Sequence, residues 1–201
     1  MNYALFGDSH AQAVFPLLRN NLEREGHQVV ISKPVAGWTL KKHLENGFES
    51  HLSDVITIAN SNVDALVLSL GGNNSNLSPS YGNTVQEALD IASRYGVKKV
   101  YWVSPATAIR PDVQLRHEWT TNYLKLNLPR KVQFIDIRSL TKSDHRSDGV
   151  HFNPQKYKEW AKEVSTAILR PRAITQIPNW TWWFAGSFII LNVGIFMWRK
   201  K

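Results

Sequence analysis

The stretch "LFGDSHAQAVFPLL", residues 5–18, changes abruptly from a strand pattern to a helix pattern. The short apolar run that ends at the glycine is typical of a buried parallel strand, which we expect at residues 3–6. Beyond the histidine, apolar residues recur at helical spacing, and we expect this helix to end at Gly26. Ser9 therefore lies between a strand and a helix, where free backbone N–H groups and the helix dipole favour negative charge.

The same alternation of strand and helix patterns continues along the chain. Four more apolar runs predict strands at residues 28–32, 64–70, 98–104 and 132–137. Helices are predicted around residues 85–92 and 118–126, and from Pro154 onward, with Asn153 as the N-cap of the last. Alternation with short connections predicts an α/β fold in which a five-stranded, mostly parallel sheet lies between two layers of helices.

Ligands of open parallel sheets bind beyond the carboxyl ends of the strands, so the residues there are the candidate site residues. Ser9 follows the first strand and offers a nucleophile, although a serine there can also serve only as a helix cap. Gly37 follows the second strand, and it either brings its N–H to a reacting oxygen or forms a simple turn. Asn73 follows the third strand in "GGNN", which is typical of a loop but also offers an amide donor to an oxyanion.

Asp148 and His151 follow the fifth predicted strand, three residues apart in "SDGVHFNP". This spacing lets the carboxylate accept one ring N–H of the histidine and leaves the other ring nitrogen to act as a base. Taken alone, the motif fits a surface turn equally well. Together, the four groups supply a nucleophile, a base, an orienting acid and oxyanion donors at one edge of one sheet. We therefore predict a Ser9–His151–Asp148 triad, with an oxyanion hole formed by Ser9, Gly37 and Asn73.

These motifs resemble those of the SGNH hydrolases, also called GDSL-type esterases. Gly7–Ser9 resembles the family's first block, Gly37 its second, Gly71–Asn74 its third and Asp148–His151 its fifth. The resemblance covers residues 1 to about 170. It implies a three-layer α/β/α fold of flavodoxin-like type, hydrolysis of esters, and neither a metal nor an organic cofactor.

Two positions depart from the family pattern, since His10 replaces the common leucine and Asn74 replaces the usual aspartate. We expect both to line the substrate, together with Trp38 and Tyr81, whose rings either stack on a sugar or belong to the core. The resemblance favours an O-acetylated carbohydrate as substrate, because the family often removes acetyl groups from sugars. A lipid is the second choice, because a membrane anchor would hold the enzyme near one.

The end of the chain predicts that anchor. Residues 180–198 are almost wholly apolar, have tryptophans at both edges and precede three basic residues. As a helix, this segment would be about 28 Å long, close to the roughly 30 Å hydrocarbon core of a bilayer. We therefore predict a membrane-anchored protein without an N-terminal signal peptide, divided as follows: hydrolase domain 1–172, linker 173–179, transmembrane helix 180–198 and basic tail 199–201.

Composition argues against several other functions. The net charge is +8, but three of these charges are the last three residues and the rest are scattered, so we expect no nucleic-acid partner. The absence of cysteine excludes disulfides and thiolate metal sites. Asp144 and His145 lack the paired spacing of zinc ligands, so no metal site is predicted.

One rival interpretation stays open at this point. The chain could keep the SGNH fold without catalysis, as a binding or structural module. Its C-terminal hydrophobic helix would then hold it in a membrane or in a larger assembly such as a virion. The intact set of serine, glycine, asparagine, aspartate and histidine favours the enzyme.

Overall fold

A computed structural model describes residues 1–74 and 80–170 of the chain. Its centre is a five-stranded sheet in which every pair of neighbouring strands is parallel. The strand order is β2-β1-β3-β4-β5. The strands are β1 (Asn2–Gly7), β2 (Gln28–Pro34), β3 (Ala65–Ser69), β4 (Lys99–Val103) and β5 (Val132–Ile135). The predicted five-stranded parallel sheet is thus confirmed.

Helices cover both faces of the sheet. They are α1 (Ser9–Arg24), α2 (Leu40–Glu45), α3 (Phe48–Thr57), α4 (Tyr81–Arg94), α5 (Pro111–Asn127) and α6 (Pro154–Leu169). Alternate residues of β1 point to opposite faces, so that Tyr3 and Leu5 join the core under α1 and α6. Ala4 and Phe6 join the core under the other four helices. This arrangement is the predicted three-layer α/β/α architecture.

The helices differ from the prediction in two places. The short helices α2 and α3 lie between β2 and β3, where no helix was predicted. Helix α5 begins at Pro111, well before the predicted residue 118. Its buried face includes His117, Thr120 and Thr121, so the apolar spacing that identifies a helix from sequence is interrupted there by polar residues.

The predicted transmembrane helix at residues 180–198 lies outside the described residues, as do the linker and the basic tail. Within residues 1–74 and 80–170, no helix is long and apolar enough to cross a bilayer.

Candidate active site

Ser9 is the first residue of α1, directly after β1. The helix is capped by Asp8, whose carboxylate accepts the backbone N–H of His10 at 3.0 Å. Ser9 therefore does not act as the cap, which was the simpler of the two interpretations of this serine. Its hydroxyl is left at the mouth of the helix, at the carboxyl edge of the sheet.

That hydroxyl meets the ring of His151, which lies 142 residues further along the chain. Ser9 Oγ is 2.9 Å from Nε2 of His151, within hydrogen-bonding distance. On the other side of the ring, Nδ1 is 2.9 Å from Oδ2 of Asp148. The structure thus brings the three predicted triad residues together in the order serine, histidine, aspartate.

The carboxylate of Asp148 is fixed by its own loop. Its Oδ1 accepts the backbone N–H groups of Val150 and His151, both at 2.8 Å. These two bonds, followed by the one to the His151 ring, hold the pKa of Asp148 well below its usual range. Asp148 is therefore ionised at neutral pH, although its side chain is about half exposed.

The loops after β1, β2 and β3 are joined to one another behind the serine. The N–H of Val35 donates to the carbonyl of Gly7 at 2.9 Å, and the side-chain amide of Asn73 donates to the carbonyl of Trp38 at 3.3 Å. Between them, Gly37 lies in a turn with φ of +72°, a conformation that favours glycine. An added Cβ would meet no protein atom within 4 Å, so the backbone conformation, and not crowding within the protein, requires a glycine here.

Three of the four predicted substrate-lining residues are buried, which favours the core alternative for Tyr81 and gives no support to a lining role for His10 and Asn74. His10 is 5% exposed, Asn74 8% and Tyr81 6%. The Tyr81 ring packs against Trp119 and Tyr123 of α5 instead of facing solvent.

Trp38 differs from these three residues. Its side chain is half-buried, in edge contact with the ring of His43. It is the only one of the four predicted lining residues that can still offer a ring to a ligand.

A group of buried ionisable side chains, which the sequence did not predict, lies behind the serine. Asp8 is 5% exposed, and burial raises its pKa to about 6. His10 lies beside it, and burial lowers its pKa to about 3, so its ring is neutral at physiological pH. His117 of α5 is also buried, with Nδ1 2.6 Å from the carbonyl of Ala106. The sequence shows that these ionisable residues are present near the serine motif, but it does not show that they are buried. Their burial depends on helices that are distant in sequence.

The described residues also contain an open cleft of about 440 Å³ beyond β4 and β5. Its seven lining residues are all polar or charged, and they include Thr107, Asp136 and Arg138. None of the triad residues lines it. Among residues 1–74 and 80–170, no group of three or more His, Cys, Asp or Glu side chains is placed to hold a metal ion.

The fold and the serine–histidine–aspartate arrangement are those that the sequence motifs led us to expect. No protein-family model and no curated protein matches the sequence. Solved structures, in contrast, share its fold. A protein from Slackia heliotrinireducens described as an SGNH hydrolase is 17% identical, with a TM-score of 0.62 over 84% of this chain and 98% of that one.

Two further structures are similar to the same extent. The C-terminal catalytic domain of peptidoglycan O-acetyltransferase A from Streptococcus pneumoniae is 19% identical, with a TM-score of 0.58 over 84% of this chain and 92% of that one. An acetylxylan esterase from Geobacillus stearothermophilus is 14% identical, with a TM-score of 0.58 over 81% of this chain and 91% of that one. At such low identity the likeness is one of fold. The chain therefore has the SGNH hydrolase fold, as its motifs predicted.

Proposed function

We propose that this protein is a serine esterase that removes O-acyl groups, in the first place O-acetyl groups, from a carbohydrate. The observation that carries the proposal is the hydrogen-bonded chain from Ser9 Oγ through His151 to Asp148, with both contacts at 2.9 Å. A nucleophile within reach of a base that is itself held by a carboxylate is the arrangement that serine hydrolases of unrelated folds share.

The reaction follows from where the protons lie in the hydrogen-bonded series Ser9–His151–Asp148. The Nδ1–H of His151 donates to Asp148, so Nε2 is free to take the proton of Ser9 as Oγ attacks the acyl carbonyl. The ionised Asp148 then stabilises the imidazolium that forms. After the alcohol leaves with that proton, a water molecule gives a proton to His151 and attacks the acyl carbonyl. His151 then returns this proton to Oγ of Ser9 as the bond between Oγ and the acyl carbon breaks and the acid leaves.

The oxyanion of the tetrahedral intermediate is assigned to three donors, which are the N–H of Ser9, the N–H of Gly37 and the side chain of Asn73. Ser9 N–H is one of the free groups of the first turn of α1, where the helix dipole favours negative charge. Asn73 donates one amide proton to the carbonyl of Trp38, and its NH2 group carries a second proton. The hydrogen bond to Trp38 orients the amide of Asn73 before substrate binds.

The choice of substrate rests on the relatives and on one side chain. Two structures of the same fold are, by name, an acetylxylan esterase and a peptidoglycan O-acetyltransferase domain. Trp38 is half-buried beside Gly37, where its ring can stack on a sugar. An acylated glycan therefore ranks before a lipid.

The test is labelling of the full-length protein with a fluorophosphonate, read by intact mass, alongside Ser9→Ala. We expect one adduct on the parent protein and none on the variant, while Ser93→Ala, which removes an exposed serine of α4, labels like the parent. Release of acetate from acetylated xylooligosaccharides or peptidoglycan, measured against release of fatty acid from a lysophospholipid, then identifies the substrate class. A folded parent that takes no adduct would overturn the esterase and favour the non-catalytic module.

We also infer that residues 180–198 anchor this enzyme in a membrane. The support is their apolar composition, their tryptophan edges and their length. Flotation with liposomes tests the inference, since the full chain should float and a chain that ends at residue 172 should not. Equal behaviour of the two would contradict it.

A further inference from the structure

A buried hydrogen-bonded path behind the triad connects the segment that holds Ser9 to the segment that holds His151. It is a second connection, in addition to the direct hydrogen bond between these two residues. Tyr157 of α6 is 5% exposed, and its Oη accepts the backbone N–H of Phe152 at 3.3 Å. The same oxygen lies 3.2 Å from Nδ1 of His10. Phe152 directly follows the base His151, and His10 directly follows the nucleophile Ser9, so the path begins and ends beside the reacting groups.

The ring of His10 is neutral, since burial lowers its pKa to about 3, so one of its nitrogens carries a proton and the other can accept. The hydroxyl of Tyr157 can donate or accept, so the contact between Oη and Nδ1 is a hydrogen bond in either tautomer of His10. Nε2 of His10 is buried and has no hydrogen-bond partner among the described residues.

The ring of His10 also contacts the catalytic base directly. Its centroid is 5.0 Å from that of His151, and it packs against Phe152 and Trp160 as well. This position is buried between α1 and α6, in the core layer that the two helices share. A leucine, which is common here in the family that the sequence resembles, would fill such a space but could not accept a hydrogen bond.

We propose that His10 and Tyr157 are positioning residues, which hold the backbone at Phe152 so that the His151 ring stays within hydrogen-bonding distance of Ser9. The proposal rests on the esterase function proposed above. The side chain of Asp148 is about half exposed, and the buried path anchors its loop to the protein interior. Loss of the path should leave His151 less well aligned, and small misalignments of a catalytic base can cost up to about 100-fold in rate.

Two substitutions break the path at different points. Tyr157→Phe removes only the hydroxyl, and His10→Leu removes the imidazole. His10→Asn is the conservative variant, because its side-chain amide can donate or accept a hydrogen bond in place of Nδ1. Tyr3→Phe is the matched control, since Tyr3 is also buried in the same core layer and, among the described residues, its hydroxyl has one hydrogen bond, to the sulfur of Met1 at 3.9 Å.

The first readout is the rate at which a fluorophosphonate labels Ser9, which does not depend on knowing the substrate. We expect Tyr157→Phe and His10→Leu to label about 10-fold more slowly than the parent, and His10→Asn and Tyr3→Phe to label within about 3-fold of it. Thermal unfolding of each variant shows that the proteins compared are folded. Equal labelling rates for the parent, Tyr157→Phe and His10→Leu would overturn the proposal.

The second readout separates this proposal from the esterase itself. The Cε1–H resonance of His151, assigned by its loss in His151→Ala, reports the surroundings of the ring whether or not Ser9 reacts. It should shift or broaden in Tyr157→Phe and stay in place in Tyr3→Phe. A parent that takes no label would contradict the esterase, whereas a His151 resonance unchanged in Tyr157→Phe would contradict the positioning role.

Discussion

At the scale of single residues, Asp8 serves two opposing roles. Its carboxylate caps α1 by accepting the N–H of His10, which stabilises the first turn. The same carboxylate is buried, and burial raises its pKa to about 6, so its charged form is disfavoured in the folded protein. The family-like motif "GDS" therefore includes a group that lowers stability at neutral pH.

The sign of this effect gives a testable pH dependence. Between the unfolded pKa of 3.8 and the folded pKa of about 6, the folded state binds more protons than the unfolded state, so stability falls as pH rises through this window. At pH 8 the loss amounts to about 3 kcal/mol. Asp8→Asn keeps a capping oxygen and removes the charge. It should therefore raise the free energy of unfolding more at pH 8 than at pH 4, by up to that amount.

Urea unfolding of the parent and Asp8→Asn at the two pH values measures the difference. Asp90→Asn, which removes an exposed carboxylate of α4, is the control for the loss of one negative charge. An equal effect of Asp8→Asn at pH 4 and pH 8 would show that the carboxyl is not destabilised by burial.

At the scale of elements, helix α6 packs behind the candidate site and begins immediately after the loop that holds Asp148 and His151. Asn153 caps it, as the sequence predicted, by accepting the N–H of Lys156 at 2.9 Å. Pro154 occupies the first turn, where its missing N–H costs nothing. The cap fixes the point at which the chain leaves His151 and Phe152 and enters the helix.

Loss of this cap should destabilise the protein by about 1 kcal/mol. Asn153→Ala leaves the N–H of Lys156 without its side-chain acceptor, while Asn153→Ser keeps an acceptor and should recover most of the loss. The midpoint of urea unfolding, at unchanged slope, measures both variants. If alanine and serine were equivalent here, the cap would contribute nothing to stability.

At the scale of the whole molecule, the strand order brings together loops that are distant in sequence. Strand β1 lies between β2 and β3, so the chain segments after these three strands meet at one edge. Ser9, Gly37 and Asn73 are placed by this topology, and the packing of α6 on α1 brings the loop of Asp148 and His151 to the same edge.

The proposed role of Asn73 as an oxyanion donor depends on the loops after β1, β2 and β3 lying at the same edge of the sheet. Asn73→Ala should lower kcat by roughly 100- to 1,000-fold, the usual cost of removing one oxyanion donor. Steady-state kinetics on the ester substrate measures the change, and Asn83→Ala, which removes an exposed asparagine of α4, is the matched control. A decrease of less than about 10-fold in a folded Asn73→Ala would exclude Asn73 from the oxyanion hole.

The sequence by itself determined the five strands and their parallel arrangement, four of the six helices that the described residues form, and the identity of the candidate triad. Each of these has a local signature. Apolar runs bounded by glycine indicate buried strands, and Asn153 followed by Pro154 indicates a helix start. Polar residues that follow predicted strands fall on one edge whenever the sheet is parallel. The early start of α5 was missed because its buried face is partly polar.

Only the tertiary structure decided which polar side chains are buried. His10, Asn74 and Tyr81 stand beside candidate site residues in sequence, yet their side chains point into the protein. Burial depends on what packs against a residue from elsewhere in the chain, and α6 covers His10 from more than a hundred residues away. The raised pKa of Asp8 and the path from His10 to Tyr157 have the same origin. They arise from desolvation and long-range contacts, which no local pattern of residues records.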